Sequence, residues 1–265
     1  MIGAALAGLV ALSAIPGGWR TPDLRHVLVI ETTKGRMLVE LRPELAPRAV
    51  ERIEVLARRG TYDGLLFHRV LEGFVAQTGN PDNHDGGGTE LPDLPPEFTF
   101  RAALGEVHVV RYAGDGWEGF VGATPVQTEE GGAPSRSRDG RMRAWGAHCA
   151  GVMAMGRQAA PGSANSEIYF TILPARRLDH EYTVVGRVVF GSPTLTVLAV
   201  GEPPPQPDRM LSVRVAADLP PAERPRLRLR DTNSPAFRDE LRRLRREKGA
   251  DFSVCDVELP LEHLP

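Results

Sequence analysis

Cysteine is nearly absent: the 265 residues contain two, Cys149 and Cys255. Neither stands in a C-x-x-C or zinc-type spacing, which excludes a dithiol redox motif and a cysteine-based metal site on sequence grounds. Two readings stay open: a pair of buried free thiols or, if the chain is exported, one disulfide across a long loop. An excess of charge of one sign is missing too. The 32 Lys and Arg against 34 Asp and Glu leave a formal net charge of −2, so no overall basic field exists to hold nucleic acid or an anionic membrane. The basic run Arg242 to Lys248 follows Phe237 and Leu241 at helical spacing and reads as the solvated side of a helix. No apolar run reaches the roughly 20 residues that a bilayer crossing needs. The first fifteen residues are almost wholly apolar before Pro16-Gly17-Gly18. They read as a signal peptide over 1–20 and predict a periplasmic protein, although no Lys or Arg precedes the run; a cytoplasmic one is the alternative.

Several patterns are also lacking. No internal repeat and no alternation of βα units occurs, which argues against a doubly wound fold. Neither Ser163 nor Ser166 stands in G-x-S-x-G. No two of His68, His84, His108 and His148 have H-x-x-x-H spacing. Gly86-Gly87-Gly88 lacks the Lys-Ser/Thr pair of a phosphate loop.

What is there is mostly short strands. His26 to Thr32 and Arg36 to Arg42 flank Thr33-Lys34-Gly35 as a β-hairpin. A helix follows: Pro47 suits its first turn, Val50, Ile53, Leu56 and Ala57 share a face, and Gly60 stops it. Further strands are predicted at Leu65 to Val70, Phe74 to Thr78, Gly151 to Met155, Glu167 to Leu173, Thr183 to Phe190 and Met210 to Ala217, with a second helix at Ser192 to Val200. Many short strands and two helices predict a mainly β fold, a closed barrel capped at its ends. The stretch 81–145, dense in Gly, Pro and charge with a weak strand signal at Glu106 to Tyr112, reads as a long insertion in a domain spanning 24–217. Residues 218–265, with a helix at Pro235 to Lys248 and a strand at Asp251 to Leu259, read as an αβ extension packed on the barrel.

The densest cluster of chemistry is Phe67-His68-Arg69-Val70 followed by Gly73-Phe74-Val75-Ala76-Gln77-Thr78-Gly79. Alternation puts Phe67 and Arg69 on one face, and Phe74 and Ala76 on one face of the next strand. Gln77 then faces away from Phe74, so a site using both needs a bulge or a strand end between them. This block reproduces the F-H-R-V and G-F-x-x-Q-x-G signature of cyclophilins. Three later blocks are similar to the family's patterns: Gly151 to Arg157 (GVMAMGR), Ser163 to Phe170 (SANSEIYF) and Leu178 to Val188 (LDHEYTVVGRV). From Val27 to Ala217, insertion set aside, the chain resembles the cyclophilin-type peptidyl-prolyl cis/trans isomerases, Gram-negative bacterial members above all.

The resemblance implies a closed eight-stranded antiparallel β-barrel with two capping α-helices. It implies an enzyme that rotates X-Pro bonds of proline-containing polypeptides, assisting folding without cofactor or metal; a monomer is expected. Arg69, Gln77 and Phe74 would be catalytic, with Phe67, Val75, Met155, Gly156, Arg157, Tyr169, Leu178 and Tyr182 binding substrate. His68, beside Arg69 on the opposite strand face, reads as structural. The chain departs from the family at Glu167, where Gln is usual, and at Ile168 and Tyr169, where two Phe are usual. The Tyr169 hydroxyl needs a partner or water. Arg177 replaces a Trp of many eukaryotic members, which argues against tight cyclosporin binding. A reading from a different class is a proline-peptide binding or chaperone module with little turnover, the insertion serving as arm or lid. Retention of Arg69, Phe74 and Gln77 favours the enzyme.

Overall fold

The computed structural model describes residues 17–114, 116–129 and 139–264. Residues 1–16, most of the expected signal peptide, lie outside them. After a two-residue strand β1 (Trp19–Arg20) the expected hairpin forms: β2 (Val27–Thr32) pairs with β3 (Gly35–Leu41) from Val27↔Glu40 to Thr32↔Gly35. Helix α1 (Pro47–Arg58) follows with Pro47 in its first turn and buries Ala49, Val50, Ile53, Leu56 and Ala57. Next come β4 (Arg69–Leu71) and β5 (Val75–Thr78). The strands β6 (Phe100–Ala103), β7 (His108–Tyr112), β8 (Trp117–Val121), β9 (Thr124–Thr128) and β10 (Arg141–Gly146) occupy the insertion. After them run β11 (Val152–Met155), β12 (Ile168–Thr171), β13 (Val184–Phe190) and β14 (Met210–Val215). The chain closes with β15 (Leu227–Arg230), α2 (Pro235–Lys248) and β16 (Leu261–His263).

Eight strands form the main antiparallel sheet in the order β14-β2-β3-β13-β11-β12-β5-β4. Its concave side holds a core of Leu28, Ile30, Val39, Ala76, Met153, Met155, Ile168 and Phe170, capped by α1. The outermost strands, β14 and β4, do not pair as strands. Two isolated bridges, Leu66↔Arg209 and Val70↔Gly201, link the segments beside them, with the Phe67 amide donating to the Asp208 carbonyl at 2.8 Å. The sheet is therefore a curled half-barrel with a bridged seam rather than the closed barrel expected. Among the described residues one α-helix caps it, because Ser192–Val197 is a 3-10 turn. Its Thr and Val side chains lose rotamer freedom in a helix.

The insertion is a second, five-stranded antiparallel sheet, β6-β10-β9-β8-β7. Burial on both faces hid it from the alternation test: every residue of β9 is buried. α2 covers it, capped by the Ser234 hydroxyl accepting from the Phe237 amide at 3.1 Å. Phe237 meets Phe120 of β8 edge to face at 5.9 Å. Arg242, Arg243, Arg245, Arg246 and Lys248 lie on the exposed side of α2, as expected. The expected strand at Asp251 to Leu259 is absent. Short 3-10 turns bury Phe252, Val254 and Val257 there, and the strand comes later, as β16 beside β15 in a small sheet with β1.

Cys149 and Cys255 are disulfide-bonded, so of the two readings the free thiols are overturned. The bond closes a separation of 106 residues between the entry to β11 and the tail. Closing so long a loop restricts the unfolded chain strongly, and replacing both cysteines by serine is expected to lower unfolding stability by about 2–5 kcal/mol. Urea denaturation measures this. A loss under about 1 kcal/mol would show that non-covalent packing alone holds the tail.

Candidate active site

Strand register assembles a row of side chains that sequence spacing does not. Arg69 of β4 lies opposite Gln77 of β5, Gln77 opposite Tyr169 of β12, and Tyr169 opposite Ala154 of β11. All four sit on the convex face, since their neighbours Val70, Ala76, Phe170 and Met155 belong to the concave core. β5 begins at Val75, so Phe74 stands off the strand end and reaches the same convex cluster as Tyr169, Leu178 and Tyr182. This strand end meets the condition that alternation imposed.

Two of the expected substrate contacts lie on the concave side instead. Phe67 is fully buried in the concave core, because β4 starts only at Arg69 and the alternation shared by the two residues breaks before it. Met155, 1% exposed, faces the same core from β11. Val75 is on the convex face but buried. Gly156 is buried against Glu167, where a Cβ would lie 2.2 Å from Oε1. Its lack of a side chain makes room for that carboxylate.

The Arg69 guanidinium is held from two sides. Nη1 donates to Gln77 Oε1 at 3.1 Å, and Nε pairs with Glu202 Oε1 at 3.0 Å. The Gln77 amide nitrogen donates to Asp85 Oδ1 at 2.7 Å and to Glu167 Oε1. Because both amide hydrogens meet carboxylates, the amide oxygen must face Arg69. Burial pushes the Glu167 carboxyl up to about 7, with Asp85 adding to the rise, while the Gly86 amide, Gln77 and Arg69 oppose it. Burial likewise pushes the His68 imidazole down.

Beside Arg69 lies an aromatic cluster in which Phe74 and Tyr182 are partly exposed and Tyr169 is buried beneath them. Tyr169 and Tyr182 meet edge to face at 5.5 Å. The Arg177 guanidinium stacks 3.9 Å over the Phe74 ring, and Arg157 stacks 4.7 Å over the Tyr182 ring. The Tyr169 hydroxyl has its partner: His148 Nε2 at 2.9 Å, with His148 Nδ1 on Asp179 Oδ1 at 2.8 Å. Asp179 also holds Arg176, so Nδ1 carries the proton and Nε2 accepts from tyrosine. Tyr169→Phe should leave isomerisation within about twofold while costing about 1–3 kcal/mol, since buried His148 Nε2 would lose its donor. Thermal denaturation beside an activity assay checks it; a large rate loss would give the hydroxyl a part in binding.

Sequence reasoning missed Asp85, Glu202, His148 and the stacking of Arg177. The one signal available was Glu167 in place of Gln, which announces a carboxylate needing donors.

The profile of the family described as "Cyclophilin type peptidyl-prolyl cis-trans isomerase/CLD" matches residues 27–215. The chain belongs to this family. A "Probable peptidyl-prolyl cis-trans isomerase" of Brucella suis is 30% identical over 233 residues, 81% of this chain and 95% of the relative. The ppi1 isomerase of Schizosaccharomyces pombe is 28% identical over 162 residues, 61% of this chain and 77% of that one. Among solved structures, cyclophilin AquaCyp293 from Hirschia baltica superposes with a TM-score of 0.85 at 33% identity, covering 95% of each chain. That coverage exceeds residues 27–215, so the likeness to this cyclophilin reaches into the C-terminal segment. The cyclophilin fold and isomerase activity foreseen from the four sequence blocks are thus borne out, the barrel's closure excepted.

Proposed function

We propose that Arg69 is the catalytic donor of this isomerase, positioned by Gln77, with Phe74, Tyr169, Leu178 and Tyr182 gripping the proline ring. Rotation about a peptide C–N bond faces a barrier of about 18–20 kcal/mol because resonance is lost. In the twisted amide the prolyl nitrogen becomes pyramidal and its lone pair accepts a hydrogen bond that the planar ground state cannot. A donor aimed there binds the transition state selectively. Arg69 suits this because its guanidinium stays charged and needs no proton transfer. Anchoring the proline side leaves the acyl side free to turn. The observation that carries the assignment is the row Arg69–Gln77–Tyr169, with Phe74 at its strand end.

The test is NMR exchange between the cis and trans forms of a short X-Pro peptide. Catalytic acceleration supports this reading. Binding without acceleration supports the peptide-capture or chaperone module instead.

We further propose that the protein acts as a monomer in an oxidising compartment such as the periplasm, on exported clients. The Cys149–Cys255 disulfide supports the oxidising compartment. Among the described residues no helix is long and apolar enough to cross a membrane.

A further inference from the structure

We propose that His68, Asp85 and Glu167 form a binding site for a divalent cation of the zinc class, and that the bound ion unseats Gln77. One ligand atom from each residue lies within 4.8 Å of the others. His68 carries the argument. Its side chain is 2% exposed, and neither ring nitrogen has a hydrogen-bond partner among the described residues. Nε2 faces Glu167 Oε2 at 3.7 Å, too far for a hydrogen bond. A buried imidazole with both nitrogens unpaired is costly, and a ligand on Nε2 removes half of that cost.

The donor set selects the ion. One imidazole nitrogen and two carboxylate oxygens suit zinc and its neighbours, which accept three protein ligands with water in a fourth position. Calcium and magnesium prefer oxygen alone. Ligand atoms around a tetrahedral ion with bonds of about 2 Å lie roughly 3.3 Å apart, so the three must draw together. His68 and Glu167 are buried, whereas Asp85 is exposed and precedes Gly86-Gly87-Gly88, so the contraction falls to Asp85. Asp85 also lines, with His68, Arg69 and Glu202, a cleft of about 240 Å³ that gives an ion entry.

The consequence follows from shared atoms and rests on the roles proposed above. Asp85 and Glu167 are the two acceptors of the Gln77 amide nitrogen. A cation that takes their charge repels the amide hydrogens, and Gln77 Oε1 loses its fixed direction toward Arg69. A misplacement of this order is expected to cost about tenfold or more in rate.

Equilibrium dialysis of metal-free protein against zinc ion, with ¹⁵N NMR of the imidazoles, tests the site independently of activity. The expected result is one bound zinc per chain, a shifted His68 ring nitrogen, and binding weakened about 10-fold or more in both Asp85→Asn and Glu167→Gln. Isomerisation should fall on zinc addition and recover with chelator. Asp85→Asn sits on an exposed loop, so the test survives if a His68 variant fails to fold. Zinc uptake unchanged in Asp85→Asn, as for an ion on a surface histidine, would overturn the proposal, and so would no uptake. Absent isomerase activity in metal-free protein would instead sink the assignment of Arg69 and leave the zinc measurement standing.

Discussion

Arg69→Ala is expected to lower kcat/KM for an X-Pro peptide about 100- to 1,000-fold, the usual effect of removing one donor aimed at charge that develops in the transition state. The loss should fall on kcat more than on KM, because the aromatic grip of Phe74, Tyr169 and Tyr182 remains and the donor contributes little to the planar ground state. Arg69→Lys should recover only part of the rate. A lysine keeps the charge but lacks the rigid planar fork whose separate nitrogens, Nη1 and Nε, reach Gln77 Oε1 and Glu202. NMR exchange at equal folded concentration measures all three proteins. A variant within threefold of wild type would show Arg69 to be a paired structural residue, and the transition-state donor would have to be sought elsewhere on the convex face.

The second large effect concerns stability. The Glu40 side chain is 3% exposed and accepts both terminal nitrogens of Arg20, at 2.5 and 2.7 Å, together with the Ala123 amide at 3.0 Å. Three parts of the fold meet on this one carboxylate: β1 of the small sheet, β3 of the main sheet, and the β8–β9 turn. Burial alone would push the carboxyl up, but Arg20, with Arg42 and the amide, outweighs it and holds the group below the ordinary range. Glu40→Ala leaves Arg20 largely buried and unpaired and is expected to cost about 3–5 kcal/mol, or roughly 10 °C in Tm for a chain of this size. Arg20→Met with Glu40→Leu should recover most of that loss, since an apolar pair replaces a buried ion pair at little cost. Because the folded pKa is depressed, the carboxylate's stabilisation is fully present above its unfolded value of about 4.3 and drains away as pH falls below it. Glu40→Ala should therefore show a shallower acid limb in a plot of unfolding free energy against pH. Parallel limbs for the two proteins would show that Glu40 does not govern acid sensitivity.

How much was legible in the sequence follows from the range of the interactions. α1 was legible because Pro47, a 3.6-residue apolar spacing and Gly60 are all local. The hairpin and the identities of Arg69, Gln77 and Tyr169 were legible because they stand in short motifs. Which face each residue takes was not, since that depends on where a strand begins. Phe67 lost its place at the site to a strand that starts two residues later, and Phe74 gained one from a strand that starts one residue later. The five-stranded sheet was hidden because β9 is buried throughout and shows no alternation. Asp85, Glu202 and the pairing of Cys149 with Cys255 required contacts between distant segments that no spacing encodes.

The aromatic cover of the second sheet bears on where this enzyme can be cut. Phe237, Leu241, Phe252, Val254 and Val257 share one buried cluster with Phe120, Val126, Val184 and Tyr169. The family segment ends at residue 215, ahead of all five covering residues. A chain stopped there would retain every side chain of the site yet bare an apolar underside and leave Cys149 alone, which favours association over solubility. The segment that carries the proposed site is thus smaller than the packed unit, and shortening or exchanging the tail would require rebuilding the sheet beneath it.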